Sequence, residues 1–359
     1  MNVIDYIKVC GNLSFYEKPF NEVDKLILAN LSYVNFRDLV SSNDKNKKTI
    51  ETVCKEFVGN KYHLVSNIVS IKGGIKLLLA MAKSKRYKDL LLYNYERVIN
   101  DIEQYAVITI QLAKDLVYVS FEGTTEEMIG WEEDFRMCYE FPIKSQKDAI
   151  KYLNKHFTFK NVNIIIGGHS KGGNQALVAS MYCNFLVRRK IKEIYSYDGP
   201  GVLKKYLETR KYKRIDKRYK HIVPNNSMVG MMLYTKDDCA VKTKGVGFVS
   251  HYALYWQVTE DDLVYDNLNE SSLILHKSIC EWILKYNNEQ KKEFVREMFD
   301  VFKKNNIYTL LDFTKRPTAI IKILIDSNKV SKQTSVMFKE FVVMVRKFLF
   351  KTVKEKVIK

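Results

Sequence analysis

The sequence predicts an α/β fold: a mostly parallel sheet flanked by helices, preceded by N-terminal helices and followed by a helical C-terminal extension. Three observations predict it. Between residues 105 and 200, stretches with a period of two alternate with stretches of helical period. The apolar, β-branched run Asn163–Ile166 stops at Gly167-Gly168 and gives way, past Gly172-Gly173, to the helix-favouring Gln175-Ala176-Leu177-Val178-Ala179. Outside this central part the apolar spacing is helical on both sides.

Taken in order, residues 1–40 read as helices, with Leu26, Ile27, Asn30, Leu31 and Val34 at helical spacing. Ser41–Lys48 is a polar break. From Ile50 to Tyr95 the pattern again favours helices. Tyr105–Leu112 and Leu116–Phe121 then read as two strands of a hairpin turning at Ala113-Lys114-Asp115, and Glu122-Gly123-Thr124-Thr125 ends the second abruptly. Ile150–Phe157 fits a crossover helix, Val162–Ile166 the next strand, Asn174–Lys190 a helix, and Ile194–Tyr197 a short strand closing at Asp198-Gly199-Pro200-Gly201. Met228–Leu233 is expected to be a further strand. After Val258 the chain turns helical, so the expected division is residues 1–262 for the α/β domain and 263–359 for an extension packed on it.

A chain of 359 residues, 46% apolar, has the material for one large α/β domain plus an extension. Its net charge of +18 implies a cationic surface, with affinity for anionic phospholipid as the sharper reading. Nucleic-acid binding would rest on charge alone, with no motif behind it. Leu203–Lys220 concentrates the charge, with nine Lys or Arg against Glu208 and Asp216. Six cysteines are scattered without a C-x-x-C pair, so neither a disulfide framework nor a metal site is expected. With no signal-peptide core and no transmembrane-length apolar run, the expected location is cytoplasmic, at most peripheral to a membrane.

The chemistry centres on Gly168-His169-Ser170-Lys171-Gly172, a G-x-S-x-G between a strand and a helix. Such a turn strains the serine backbone and lifts its hydroxyl above the sheet, and the following N–H, here that of Lys171, points where an oxyanion would form. A serine hydroxyl needs a base, and the base needs an acid to hold its tautomer. Nucleophile, acid and histidine follow one another in hydrolases of this type. His251, in a late glycine-containing loop beside aromatics, suits the base better than His221, which suggests a surface or capping role, or His276, which reads as structural. Asp198, directly after a strand, is the first candidate for the acid, with Asp237 and Asp238 as alternatives. Gly123-Thr124 is the candidate second oxyanion turn. No cofactor or metal is called for.

Together these residues resemble a known group. Tyr118–Thr124 with Gly130-Trp131-Glu132-Glu133-Asp134-Phe135, Gly168–Asn174, Tyr197–Gly201, Pro224 with Ser227–Gly230, and His251 with Trp256-Gln257-Val258 are similar to the Mbeg-type bacterial α/β-hydrolase family. That family is itself distantly similar to the class-three, fungal-type lipases. The resemblance implies a serine ester hydrolase, with Ser170 as nucleophile, His251 as base, and Thr124 with Lys171 at the oxyanion. It departs from the lipases at Glu122, where arginine is usual, and at Ser227, which stands at the later acid position. The implied substrate is a small-molecule ester or lipid. The competing expectation is a catalytically silent hydrolase fold that binds a partner or membrane surface through its basic charge and its apolar, lysine-flanked tail.

Overall fold

A computed structural model describes residues 1–59, 69–309, 312 and 330–358. One sheet runs through it in strict chain order: β1 (Lys48–Thr49), β2 (Leu91–Ile99), β3 (Gln104–Ala113), β4 (Leu116–Phe121), β5 (Asn163–His169), β6 (Ile191–Tyr197), β7 (Tyr219–Pro224), β8 (Cys239–Val241) and β9 (Tyr265–Asp266). β1 to β4 pair antiparallel, β4 to β8 pair parallel, and β9 returns antiparallel.

Sequential order has a consequence for the layers. Parallel crossovers are right-handed, so when each strand is laid beside the last, successive crossover helices fall on the same face. Here α6 (Lys144–Phe157) and α7 (Lys171–Tyr182) bury Leu153, Ala176, Leu177 and Met181 against Val119, Ile164 and Ile166. The opposite face needs another cover. The N-terminal helices α1 (Val3–Cys10), α2 (Glu22–Leu31), α3 (Ile50–Gly59) and α4 (Val69–Met81) supply it, packing Leu26, Ile27, Val53 and Leu78 with Ile108, Ile110 and Tyr118. Both α1 and α2 begin with an asparagine N-cap in a reciprocal capping box, closed by Asp5 and Asp24. Asp24 is also paired with Arg86 and Tyr87 inside this layer, so the N-terminal helices are locked to the chain just before β2.

A third apolar cluster lies apart from these two. α5 (Met128–Arg136) and three C-terminal helices, Glu270–Lys285, Asn288–Lys304 and Lys332–Ile358, bury Met128, Leu275, Trp282, Phe294, Phe299, Met337 and Phe348 together. They form a cap.

Three sequence expectations change. Leu91–Tyr95, expected to be helical, opens β2, where Tyr93 and Tyr95 are buried and Leu91 pairs with Gln111 of β3. Its run of leucines carries helical spacing, but pairing with a hairpin over ten residues away decides its state. Met228–Leu233 is a turn; the strand of that region is β8. The helix after Ser170 ends at Tyr182, with Phe185–Arg188 a separate helical turn capped by Asn184.

Candidate active site

The sheet register brings the candidate residues to one edge. Phe121 pairs with Gly168, and His169 pairs with Tyr197, so β4, β5 and β6 end level with one another. The residues just past those ends are Gly123-Thr124, Ser170 and Asp198. Parallel strands present their ligand sites beyond these carboxyl ends.

Ser170 adopts φ 57° and ψ −133°, a region that a residue with a Cβ rarely occupies and that costs on the order of 1–3 kcal/mol. The turn around it is fixed by Ser170 N–H donating to the Tyr197 carbonyl at 2.9 Å and by the Gly173 N–H donating to the Ser170 carbonyl at 2.9 Å. Glycine at 172 is a steric necessity, since a Cβ there would collide with the Phe121 carbonyl oxygen. Gly123 is equally constrained. A Cβ on it would run into the Tyr33 hydroxyl and lie 3.0 Å from the Ser170 Cβ, so the Gly123-Thr124 turn passes directly against the serine.

His251, in a short helical turn at Gly247–His251, has its Nδ1 2.6 Å from Asp198 Oδ2. Asp198 is fully buried, and its other oxygen accepts from the Ser227 hydroxyl and, at 3.0 Å, from the Gly230 N–H. A carboxylate this well bonded is held in place, and it orients the His251 ring with Nε2 as the nitrogen left for the pocket. Ser227 thus acts on Asp198 instead of replacing it. Neither alternative acid reaches His251: Asp237 is exposed, and Asp238 Oδ1 is 2.6 Å from His221 Nδ1. His221 is correspondingly not a surface group. It is buried on β7, with Nε2 donating to the Gly199 carbonyl at 2.8 Å.

His169, the variable residue inside the serine motif, bridges the elbow to the histidine loop. Its Nε2 donates to the His251 carbonyl at 2.6 Å, and its Nδ1 meets the Tyr33 hydroxyl at 2.7 Å. Burial, reinforced by nearby His251, pushes its pKa down to about 3, so it is a neutral spacer. The His169 and His251 rings lie 4.4 Å apart.

Thr124 lines the same cavity as Ser170 and His251, and its hydroxyl donates to Asp134 Oδ2 at 2.6 Å. Burial pushes the Asp134 carboxyl up to about 6, against the pull of Lys171. A lysine directly after the serine could put its positive charge into the site. Instead it is fully buried, with Nζ 2.9 Å from Glu133 Oε2 and donating to the Gln104 carbonyl; its charge is compensated before it reaches the pocket. Glu122 is compensated likewise by Arg97.

The cavity has a volume of about 270 Å³ and an apolar wall. Trp131 and Phe135 of α5, Met228 and Met232, and Trp282 and Phe341 of the cap close around Ser170. Among the described residues that line it, none comes from the basic stretch 203–220, so that segment does not shape the pocket. Two of its charges are engaged elsewhere: Lys211 sits over the Tyr182 ring and Arg218 donates to the Arg188 and Ile191 carbonyls. No cluster of three or more metal-ligating side chains occurs among the described residues.

The Mbeg1-like family model matches residues 81–300, from the end of α4 into the cap helix Asn288–Lys304. The chain belongs to the Mbeg1-like family. No curated protein matches it in sequence. Among solved structures it is similar to M37 lipase at 14% identity and a TM-score of 0.32, over 58% of this chain and 67% of that one.

In this Mbeg1-like chain, the residues that sequence reasoning singled out and those it missed divide clearly. Ser170, Asp198, His251 and Thr124 meet at one strand edge, with Lys171 following the serine. His169, Tyr33, Gly230 and the His221–Asp238 pair were not foreseen as their supports. His169 alone carried a local signal, as the residue directly before the serine.

Proposed function

We propose that the protein is a serine hydrolase of esterase or lipase type. Ser170 Oγ attacks the carbonyl carbon of an acyl ester while His251 Nε2 takes its proton. The imidazolium, held by Asp198, returns that proton to the departing alkoxide, and water repeats the cycle on the acyl-enzyme, giving acid and alcohol. The N–H groups of Lys171 and Thr124 stabilise the oxyanion, each worth on the order of 3 kcal/mol at the transition state. The Thr124–Asp134 hydrogen bond keeps that turn from drifting.

One observation carries the reading. The strained Ser170 opens into the same cavity as His251, whose Nδ1 is already bonded to a buried carboxylate. A serine placed for packing alone would not need the strain, and a carboxylate-bonded histidine beside it in one cavity gives its hydroxyl a base. The apolar wall suits an acyl chain in preference to a charged substrate.

Hydrolysis of p-nitrophenyl esters from acetyl to palmitoyl tests this. Turnover that disappears in Ser170→Ala is expected; no turnover with any chain length would overturn the reading.

A further inference from the structure

The last cap helix, Lys332–Ile358, has apolar side chains on two sides. Its inner side contributes Phe341 and Val345 to the pocket wall, and Met337 and Phe348 to the cap's core. An ordinary amphipathic helix would then be polar outside. Here Val336, Val343 and Phe350 stand exposed, Phe350 at 78%. Their spacing of seven puts them in one line along the outer face, at about 100° per residue. Lys332, Lys339, Arg346, Lys347 and Lys354 are exposed on both flanks of that line.

The neighbouring helix extends the patch. Lys351 pairs with Glu270 at 2.8 Å and Lys285 pairs with Glu340, so Glu270–Lys285 runs antiparallel beside the last helix. That alignment sets the exposed Leu284 level with Lys339–Val343, and the exposed Leu273 and Ile274 level with Lys347–Phe350. Two of the acids on this side are taken up within the cap, Glu340 by Lys285 and Tyr286 and Glu355 by Ser271, while the exposed Glu281 lies 4.0 Å from Lys277.

Single exposed apolar residues are normal on any surface. A line of them interleaved with cations over about 20 Å of helix is a different pattern, and it selects its partner. Its apolar side chains need a partner they can enter, and its cations need a dense field of anions. We infer that this face docks flat on an anionic phospholipid surface, with Val336, Val343, Phe350 and Leu284 entering the acyl boundary and the flanking cations meeting phosphates. Among the described residues no helix is long and apolar enough to cross a membrane, so the contact is in-plane. The net charge of +18 adds long-range attraction. This inference stands apart from the hydrolase reading, because it uses only the outer face.

Vesicle flotation of the full chain tests it, with phosphatidylcholine alone against phosphatidylcholine containing phosphatidylglycerol. Ser170→Ala protein serves, so that lipid turnover plays no part. Binding is expected only with the anionic lipid, weakening as salt rises. Arg346→Ala with Lys347→Ala should weaken it about thirtyfold, at roughly fivefold per cation removed. Val343→Glu with Phe350→Glu should abolish it with an unchanged melting temperature; if that pair melts early, the alanine pair decides, since it removes only exposed cations. Three results would overturn the inference: no flotation of the parent chain, equal flotation without the anionic lipid, or a salt-insensitive dimer of this chain that Phe350→Glu dissociates.

Discussion

Two histidine–aspartate pairs lie side by side at the end of the sheet, and they differ in one atom's surroundings. His251 and His221 each hold a carboxylate oxygen 2.6 Å from Nδ1. The Nε2 of His221 points at the Gly199 carbonyl, which can only accept. With acceptors on both sides, protonation of both ring nitrogens is favoured, which stabilises the imidazolium form of His221. Burial opposes that charge, but the Asp238 hydrogen bond and its negative charge outweigh burial and raise the His221 pKa. His251 instead has its second nitrogen in a cavity that it shares with a strained serine. What makes such a pair available for chemistry is therefore the freedom of the second nitrogen, since the carboxylate is common to both.

The comparison can be broken by removing each acid in turn. Asp198→Asn should lower kcat on p-nitrophenyl esters by about 10⁴, because the ring would then settle in the wrong tautomer. Asp238→Asn should leave kcat within about tenfold. Its effect should appear in urea denaturation as a loss of about 2 kcal/mol, the scale of a hydrogen bond to a charged group. If Asp238→Asn damages turnover as severely as Asp198→Asn, the two pairs are not functionally distinct.

A smaller effect tests the seating of the serine. Gly123→Ala places a methyl against Tyr33 and the Ser170 Cβ. Displacing the oxyanion turn should cost about 10² in kcat, with KM changed less, as steady-state kinetics would read.

The smallest effects lie in pH dependence and run in opposite directions. His221 has a raised pKa in the folded chain, so its stabilising contribution is present in full below about pH 6.5 and is lost as pH climbs through the folded value. His169 has a lowered one, so its contribution is present above about pH 6.5 and is lost as pH falls towards about 3. Urea midpoints across pH for the parent chain and Asp238→Asn should differ most on the acid side of neutrality and converge as pH rises.

How much of this was legible in the sequence follows from the range of the forces involved. The β3–β4 hairpin, β5, β6 and the serine turn are set by local alternation, by glycines and by a two-residue turn at Lys114-Asp115, and they lie close to where periodicity predicts. Asp198 and His251 followed from chain order together with local context, a strand end for the one and a late glycine-containing loop for the other. The identity of β2 was not legible, because Leu91–Tyr95 reads as helix until β3 lies beside it. Nor was the cap. Helical spacing marks residues 270–304 and 332–358 as helices, but nothing local says that Trp282 and Phe341 close over Ser170. His221 was misjudged for the same reason: its basic neighbours Arg218 and Lys220 suggest the surface, whereas β7 is buried continuously from His221 to Pro224.

The most direct test of the account is covalent labelling with a fluorophosphonate, followed by mass spectrometry of the modified peptide. One adduct is expected, on the peptide bearing Ser170, formed at a rate that collapses in Asp198→Asn and persists in Asp238→Asn. An unlabelled parent chain, or an adduct on a serine other than Ser170, would contradict it.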